Sequence, residues 1–124
     1  MRILVVDDSK VTRDMIIMYL RKAGFTDVDE AKDGAEALLK VRNLSSDEKY
    51  DVITLDVNMP KMDGVATLRE LRQMGCMSKI IMCSTQNDMR TVKIGIGFGI
   101  DGYIVKPFTA EKLMETLWAS LGKT

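Results

Sequence analysis

Apolar and polar positions alternate along this chain in two rhythms: short unbroken apolar runs, and longer stretches that repeat every three to four residues. The first run, Ile3-Leu4-Val5-Val6, predicts a buried strand over residues 2–6. Residues 10–22 then place apolar side chains at Val11, Met15 and Met18, with Ser9 set to cap the start and Gly24 just past the end, which predicts an amphipathic helix. A weak strand is expected around Val28. Asp33-Gly34 leads a helix over about 35–43 with apolar positions Ala35, Leu38 and Val41, and the polar stretch from Asn43 to Lys49 reads as a surface loop.

The alternation continues. Strands are predicted over 51–56, 79–84 and 102–106, and helices over 64–74, with Val65, Leu68 and Leu71 on one face, and over 88–98. Leu113, Leu117 and Leu121 mark a last helix. Five strands taken in turn with five helices predict an α/β fold, a doubly wound five-stranded parallel sheet with helices on both faces. Residues 1–124 are expected to form one domain.

Composition narrows the function classes. Apolar residues make up 46% and charged residues 29%, and no apolar run approaches the roughly 18 residues of a membrane span. The chain opens directly on a strand pattern, without the regions of a signal peptide, so the expected location is the cytoplasm. Eighteen basic residues balance eighteen acidic ones, and no basic run exceeds two, a distribution unlike that of a nucleic-acid binder. Cys76 and Cys83 fit a reducing compartment, with Cys83 read as a small core residue. Histidine is absent, which excludes a Ser-His-Asp triad, an HExxH zinc site and phosphohistidine on this chain. The last residues, Gly122-Lys123-Thr124, follow the last helix directly, so a free-standing protein is expected.

Open α/β sheets bind ligands beyond the carboxyl ends of their strands. The first predicted strand ends in Asp7-Asp8, the third in Asp56, the fourth in Ser84 and the fifth in Lys106. If these strands are parallel, three carboxylates, a hydroxyl and an ammonium converge. Two carboxylates about 4 Å apart repel by about 4 kcal/mol at an effective dielectric near 20, so the cluster calls for a cation. Mg²⁺, which takes oxygen ligands and pairs carboxylates with phosphate, suits this inventory. Asp56 then has the company a carboxylate nucleophile toward phosphorus needs: Mg²⁺ and Lys106 to balance charge, and Ser84 to donate a hydrogen bond. Taken alone, Asp7-Asp8 also reads as a charge pair at a helix amino terminus, Ser84 as a strand end, Tyr103 as core and Lys106-Pro107 as a turn.

The stretches "VVDDS" (5–9), "LDVNMPKMDG" (55–64), "CS" (83–84) and "YIVKPF" (103–108), in this order, resemble a response-regulator receiver domain of the single-domain chemotaxis, CheY-like type. The resemblance covers essentially the whole chain and implies a flavodoxin-like fold. It implies that Asp56 accepts a phosphoryl group from a histidine kinase, and that Asp8, Asp56 and the backbone carbonyl of Asn58 bind Mg²⁺ with help from Asp7. It further implies that Ser84 and Tyr103 form a switch, that Lys106 pairs with the phosphate, and that the Lys106-Pro107 bond is cis. No turnover of a foreign substrate is implied. The implied target is a flagellar motor component or another signalling protein, and the implied state a monomer or weak phosphorylation-dependent dimer.

Departures from the pattern matter as well. Val57 follows the acceptor where well-known chemotaxis members carry tryptophan, and the single tryptophan here is Trp118. Gly95 and Gly97 each cost about 1 kcal/mol in a helix, so the fourth helix is expected to be short or frayed. Asn58 and Gln86 stand where family members tune hydrolysis of the phosphoaspartate. "GIGFG" (95–99) precedes a strand instead of following one, which argues against a nucleotide loop. The ten methionines read mainly as core filler. Rival readings are a haloacid-dehalogenase-like phosphatase, whose acid two residues after the nucleophile is missing here, a phosphorelay intermediate, and the receiver of a larger transcription regulator.

Overall fold

A computed structural model describes residues 1–85 and 89–122, the side chains of Met89 and Val92 excepted. Strands and helices alternate as β1 (Arg2–Val6), α1 (Lys10–Lys22), β2 (Asp27–Ala31), α2 (Gly34–Arg42), β3 (Val52–Asp56), α3 (Gly64–Gln73), β4 (Lys79–Ser84), α4 (Met89–Gly97), β5 (Gly102–Val105) and α5 (Ala110–Ser120). All neighbouring strands pair in parallel, in the order β2-β1-β3-β4-β5. This is the flavodoxin-like doubly wound order.

Side chains that alternate along each central strand feed two separate cores. Leu4, Val6, Ile53, Leu55, Ile80 and Met82 point to the face covered by Ala37 of α2 and Leu68 and Leu71 of α3. Ile3, Val5, Val52, Ile81, Cys83 and Ile104 point to the other face, covered by Ile16, Ile17 and Leu20 of α1 and Leu113 and Leu117 of α5. Burial on both sides explains why β1, β3 and β4 read as unbroken apolar runs, and each buried Leu or Ile contributes about 1.5–3 kcal/mol. The edge strand β2, Asp-Val-Asp-Glu-Ala, is only partly covered, which is why its sequence signal is weak. Among the described residues no helix is long and apolar enough to cross a membrane. Cys83 is buried, Cys76 is half-buried, and both are free.

Capping matches the sequence. Ser9, Asp33, Asp63 and Thr109 accept hydrogen bonds from the backbone N–H groups of Thr12, Glu36, Ala66 and Lys112, fixing where α1, α2, α3 and α5 begin. Gly24 lies at φ +99°, where α1 hands over to the turn before β2.

Two predicted helix faces are corrected. In α1, Val11 is 80% exposed and Met18 is exposed too, while the core contact runs through Ile16, Ile17 and Leu20. The stripe 13-16-17-20 has the helical spacing, and its first member is Arg13; a charged residue in line with the apolar ones rotated the predicted face by about half a turn. In α2, Ala35 is exposed and Gly34 and Ala37 are the buried positions, with Leu38 and Val41 packed beside them. A Cβ on Gly34 would stand 2.2 Å from Thr67 Oγ1, so α2 and α3 meet through a glycine that hydropathy does not weigh.

The glycines of α4 have different roles. The helix runs nine residues, shorter than the predicted 88–98, and residue 88 lies outside the described residues. A Cβ on Gly95 would come within 2.9 Å of Met82 Sδ, so this glycine lets α4 approach the sheet, whereas Gly97 faces open space.

Candidate functional site

Because the sheet is parallel, the strands deliver their carboxyl ends to one edge. Asp7 and Asp8 follow β1, Asp56 closes β3, Ser84 closes β4 and Lys106 follows β5. Asp7 and Asp56 are buried, at 1% and 2% exposure, as is Ser84, while Asp8 faces solvent. Carboxylate oxygens of Asp7, Asp8 and Asp56 all lie within 4.8 Å of one another. Lys106 Nζ donates to Asp7 Oδ2 at 2.7 Å and stands 3.3 Å from Asp56 Oδ1. Asp7, Asp8, Asp56 and Lys106, singled out from the sequence, are therefore neighbours in space.

Charge is unbalanced there. Among the described residues, three carboxylates face the Lys106 ammonium, and water is largely kept from two of the three. Burial, then the charge of Asp7, pushes the Asp56 carboxyl up to about 6, against the opposing pull of Lys106 and of the Asn58 N–H that donates to Asp56 Oδ1 at 3.2 Å. Burial disfavours the Lys106 ammonium, yet the hydrogen bond to Asp7 and the two carboxylate charges outweigh it and leave its pKa raised. Below the cluster, burial pushes the Cys83 thiol up to about 12, so it stays neutral. Hard oxygen donors, close spacing and excess negative charge fit a divalent cation such as Mg²⁺.

Local backbone devices hold Asp56. Val57 N–H donates to the Cys83 carbonyl at 2.8 Å, and Gly64 N–H to the Val57 carbonyl at 2.9 Å. A Cβ on Gly64 would stand 2.3 Å from the Asp56 carbonyl oxygen, so only glycine fits where α3 begins. Lys61, in the connection between β3 and α3, adopts φ +67°. Sequence reasoning marked Asp63-Gly64 only as part of a motif and missed Arg13, whose Nη1 donates to the Asp7 carbonyl at 2.7 Å. Its place in the α1 stripe was the available signal.

The remaining residues are distributed around this centre. Asn58 is exposed, with Nδ2 donating to Thr85 Oγ1 at 3.3 Å. The Ser84 carbonyl accepts from Lys106 N–H at 2.6 Å. Tyr103, half-buried, is in register with Met82 and packs against the α2–α3 face of the sheet. The Lys106-Pro107 bond is cis. Val57 is buried beside Asp56, and Trp118 sits on α5, its ring 5.7 Å from that of Phe25. Gln86 lies outside the described residues. A cavity of about 860 Å³ opens at the opposite ends of the strands, between the α2–β3 and α3–β4 connections, remote from the acidic cluster.

Residues 3–118 match the family model of the response regulator receiver domain. The chain belongs to that family. This receiver domain is 40% identical to the chemotaxis protein CheY of Bacillus subtilis (strain 168), over 94% of the chain and 93% of its relative. Chemotaxis response regulator CheY4 of Vibrio cholerae superposes with a TM-score of 0.85 at 36% identity, covering 96% of this chain and 97% of that one. The CheY in a CheX-CheY-BeF3-Mg complex from Borrelia burgdorferi gives 0.89 at 32% identity, over 97% and 88%. The receiver is thus a two-component signalling domain with chemotaxis relatives, and its fold is theirs.

Proposed function

We propose that this receiver is a phosphorylation-activated switch: with Mg²⁺ bound, Asp56 accepts a phosphoryl group from a histidine kinase, and the domain then changes its affinity for a downstream protein, in chemotaxis a flagellar motor component. The observation that carries this reading is the trio Asp7, Asp8 and Asp56 with oxygens within 4.8 Å, beside the Lys106 ammonium that reaches Asp7 and Asp56. The BeF3 and Mg in the complex of the similar Borrelia CheY support it.

In the transfer, a lone pair of an Asp56 carboxylate oxygen forms the new O–P bond. The P–N bond of the donor phosphoimidazole breaks, its electron pair stays on the imidazole nitrogen, and that nitrogen takes up a proton. Mg²⁺, held by Asp8, Asp56 and the backbone carbonyl of Asn58 with Asp7 behind them, would neutralise charge on the phosphoryl oxygens. Lys106, already between Asp7 and Asp56, pairs with the phosphoryl group, and the Ser84 hydroxyl donates a hydrogen bond to it. Tyr103 then turns inward behind Ser84, carrying a local charge event to a remote face. The domain turns over no foreign substrate, works in the cytoplasm, and acts as a monomer or weak phosphorylation-dependent dimer.

Mass spectrometry after incubation with acetyl phosphate and Mg²⁺ tests the reading. One added phosphoryl group on Asp56 is expected, absent in Asp56→Asn and strongly reduced in Asp8→Ala. Labelling that persists undiminished in Asp56→Asn, or that ignores chelation of Mg²⁺, refutes it.

A further inference from the structure

Arg13 sits one turn into α1, where the buried stripe of Ile16, Ile17 and Leu20 begins, and its side chain is only 11% exposed. A guanidinium is not buried in such a place without partners. Nη1 donates to the Asp7 carbonyl and Nε to Glu30 Oε1, each at 2.7 Å. Glu30 is itself fixed: it lies on β2 in register with Val5, and Lys40 of α2 donates to its carbonyl.

The Asp7 carbonyl belongs to the planar peptide that joins Asp7 to Asp8. Every other polar group of Asp7 is engaged: its N–H donates to the Ala31 carbonyl at 3.1 Å, Oδ1 accepts from Ser9 N–H at 2.9 Å, and Oδ2 accepts from Lys106. Arg13 supplies the last anchor. Asp8, in contrast, is exposed, and its carboxylate makes no hydrogen bond or ion pair among the described residues. The direction of that side chain therefore depends on the peptide before it.

We propose that Arg13 is a positioning residue for the cation site: aimed by Glu30, it clamps the Asp7–Asp8 peptide and so points the Asp8 carboxylate into the cluster. The inference rests on the reading of the cluster as a Mg²⁺ site. It makes a prediction opposite in sign to that of a bystander charge. A nearby cation repels Mg²⁺, so removing it should tighten binding if charge were all that Arg13 contributed. If Arg13 works through geometry, removing it weakens binding.

Isothermal titration calorimetry of the full chain with Mg²⁺ alone decides between them, with thermal melts to verify folding. Arg13→Met is expected to raise the Mg²⁺ dissociation constant about tenfold, the low end for outer partners of metal ligands. Arg13→Lys keeps the charge but cannot make both bonds, and is expected to bind more weakly than the parent. Glu30→Gln shifts affinity in the same direction by less. Folded Arg13→Met binding as tightly as the parent, or more tightly, overturns the proposal, as does Arg13→Lys with parental affinity. Should Arg13→Met fail to fold, Arg13→Lys decides alone, and parental affinity there overturns it. A parent that binds no Mg²⁺ overturns this inference and the proposed function together; a parent that binds Mg²⁺ without gaining phosphoryl on Asp56 overturns only the latter.

Discussion

Asp56→Asn should stabilise the cation-free domain at neutral pH. The Asp56 carboxyl is pushed from its ordinary 3.8 to about 6 by burial and by Asp7. Ionising it in the folded state therefore costs about 3 kcal/mol more than in the unfolded chain. Since the folded state holds this proton more tightly, the contribution is present in full below about pH 3.8 and is lost as pH rises through about 6. Asparagine keeps the shape and removes the charge. Urea unfolding followed by circular dichroism, with chelator present, should show Asp56→Asn about 2–3 kcal/mol more stable than the parent at pH 7, with the gap closing toward pH 4. Adding Mg²⁺ at about 100 times its dissociation constant should return about 2.7 kcal/mol to the parent and much less to the variant. A variant no more stable at pH 7, or a gap that ignores acidification, refutes the electrostatic account of the cluster.

Three further outcomes follow from packing. Gly64→Ala places a methyl 2.3 Å from the Asp56 carbonyl and should cost about 2 kcal/mol or more while slowing labelling by acetyl phosphate; parental stability and rate would mean that the connection before α3 yields freely. Thr54→Val should stabilise by about 1 kcal/mol in urea unfolding, because Thr54 Oγ1 is the buried side-chain polar atom without a partner among the described residues; a loss would reveal a hydrogen bond there. Arg72→Met should cost about 2–3 kcal/mol, since Nη1 donates to the Cys76 and Ser78 carbonyls and Nη2 to that of Gly99, tying α3 to the segment after α4; neutral thermal unfolding would exclude that tie.

The sheet was legible because β1, β3 and β4 are apolar on both sides, and the cluster because parallel strands must bring their last residues to one edge. What escaped was set by close approach and by buried charge. Val11 and Met18 outrank Arg13 in hydropathy, yet Arg13 has two partners at 2.7 Å and Val11 has none to pack against, so the face of α1 turned. Gly34, Gly64 and Gly95 read as breakers or turn residues in one dimension; in three they are the points where backbone or side chains come within 3 Å of a missing Cβ. Strand β2, half-covered at the edge, left only Val28 as a signal.

The ammonium that serves Asp7 comes from 99 residues further along the chain. During synthesis the acidic loops leave the ribosome well before their counter-charge does. A nascent chain that has made β1 through β4 thus carries Asp56 without its lysine. The cluster therefore lacks its ammonium until β5 docks, so the order of synthesis sets when Asp7 and Asp56 gain their neutralising partner.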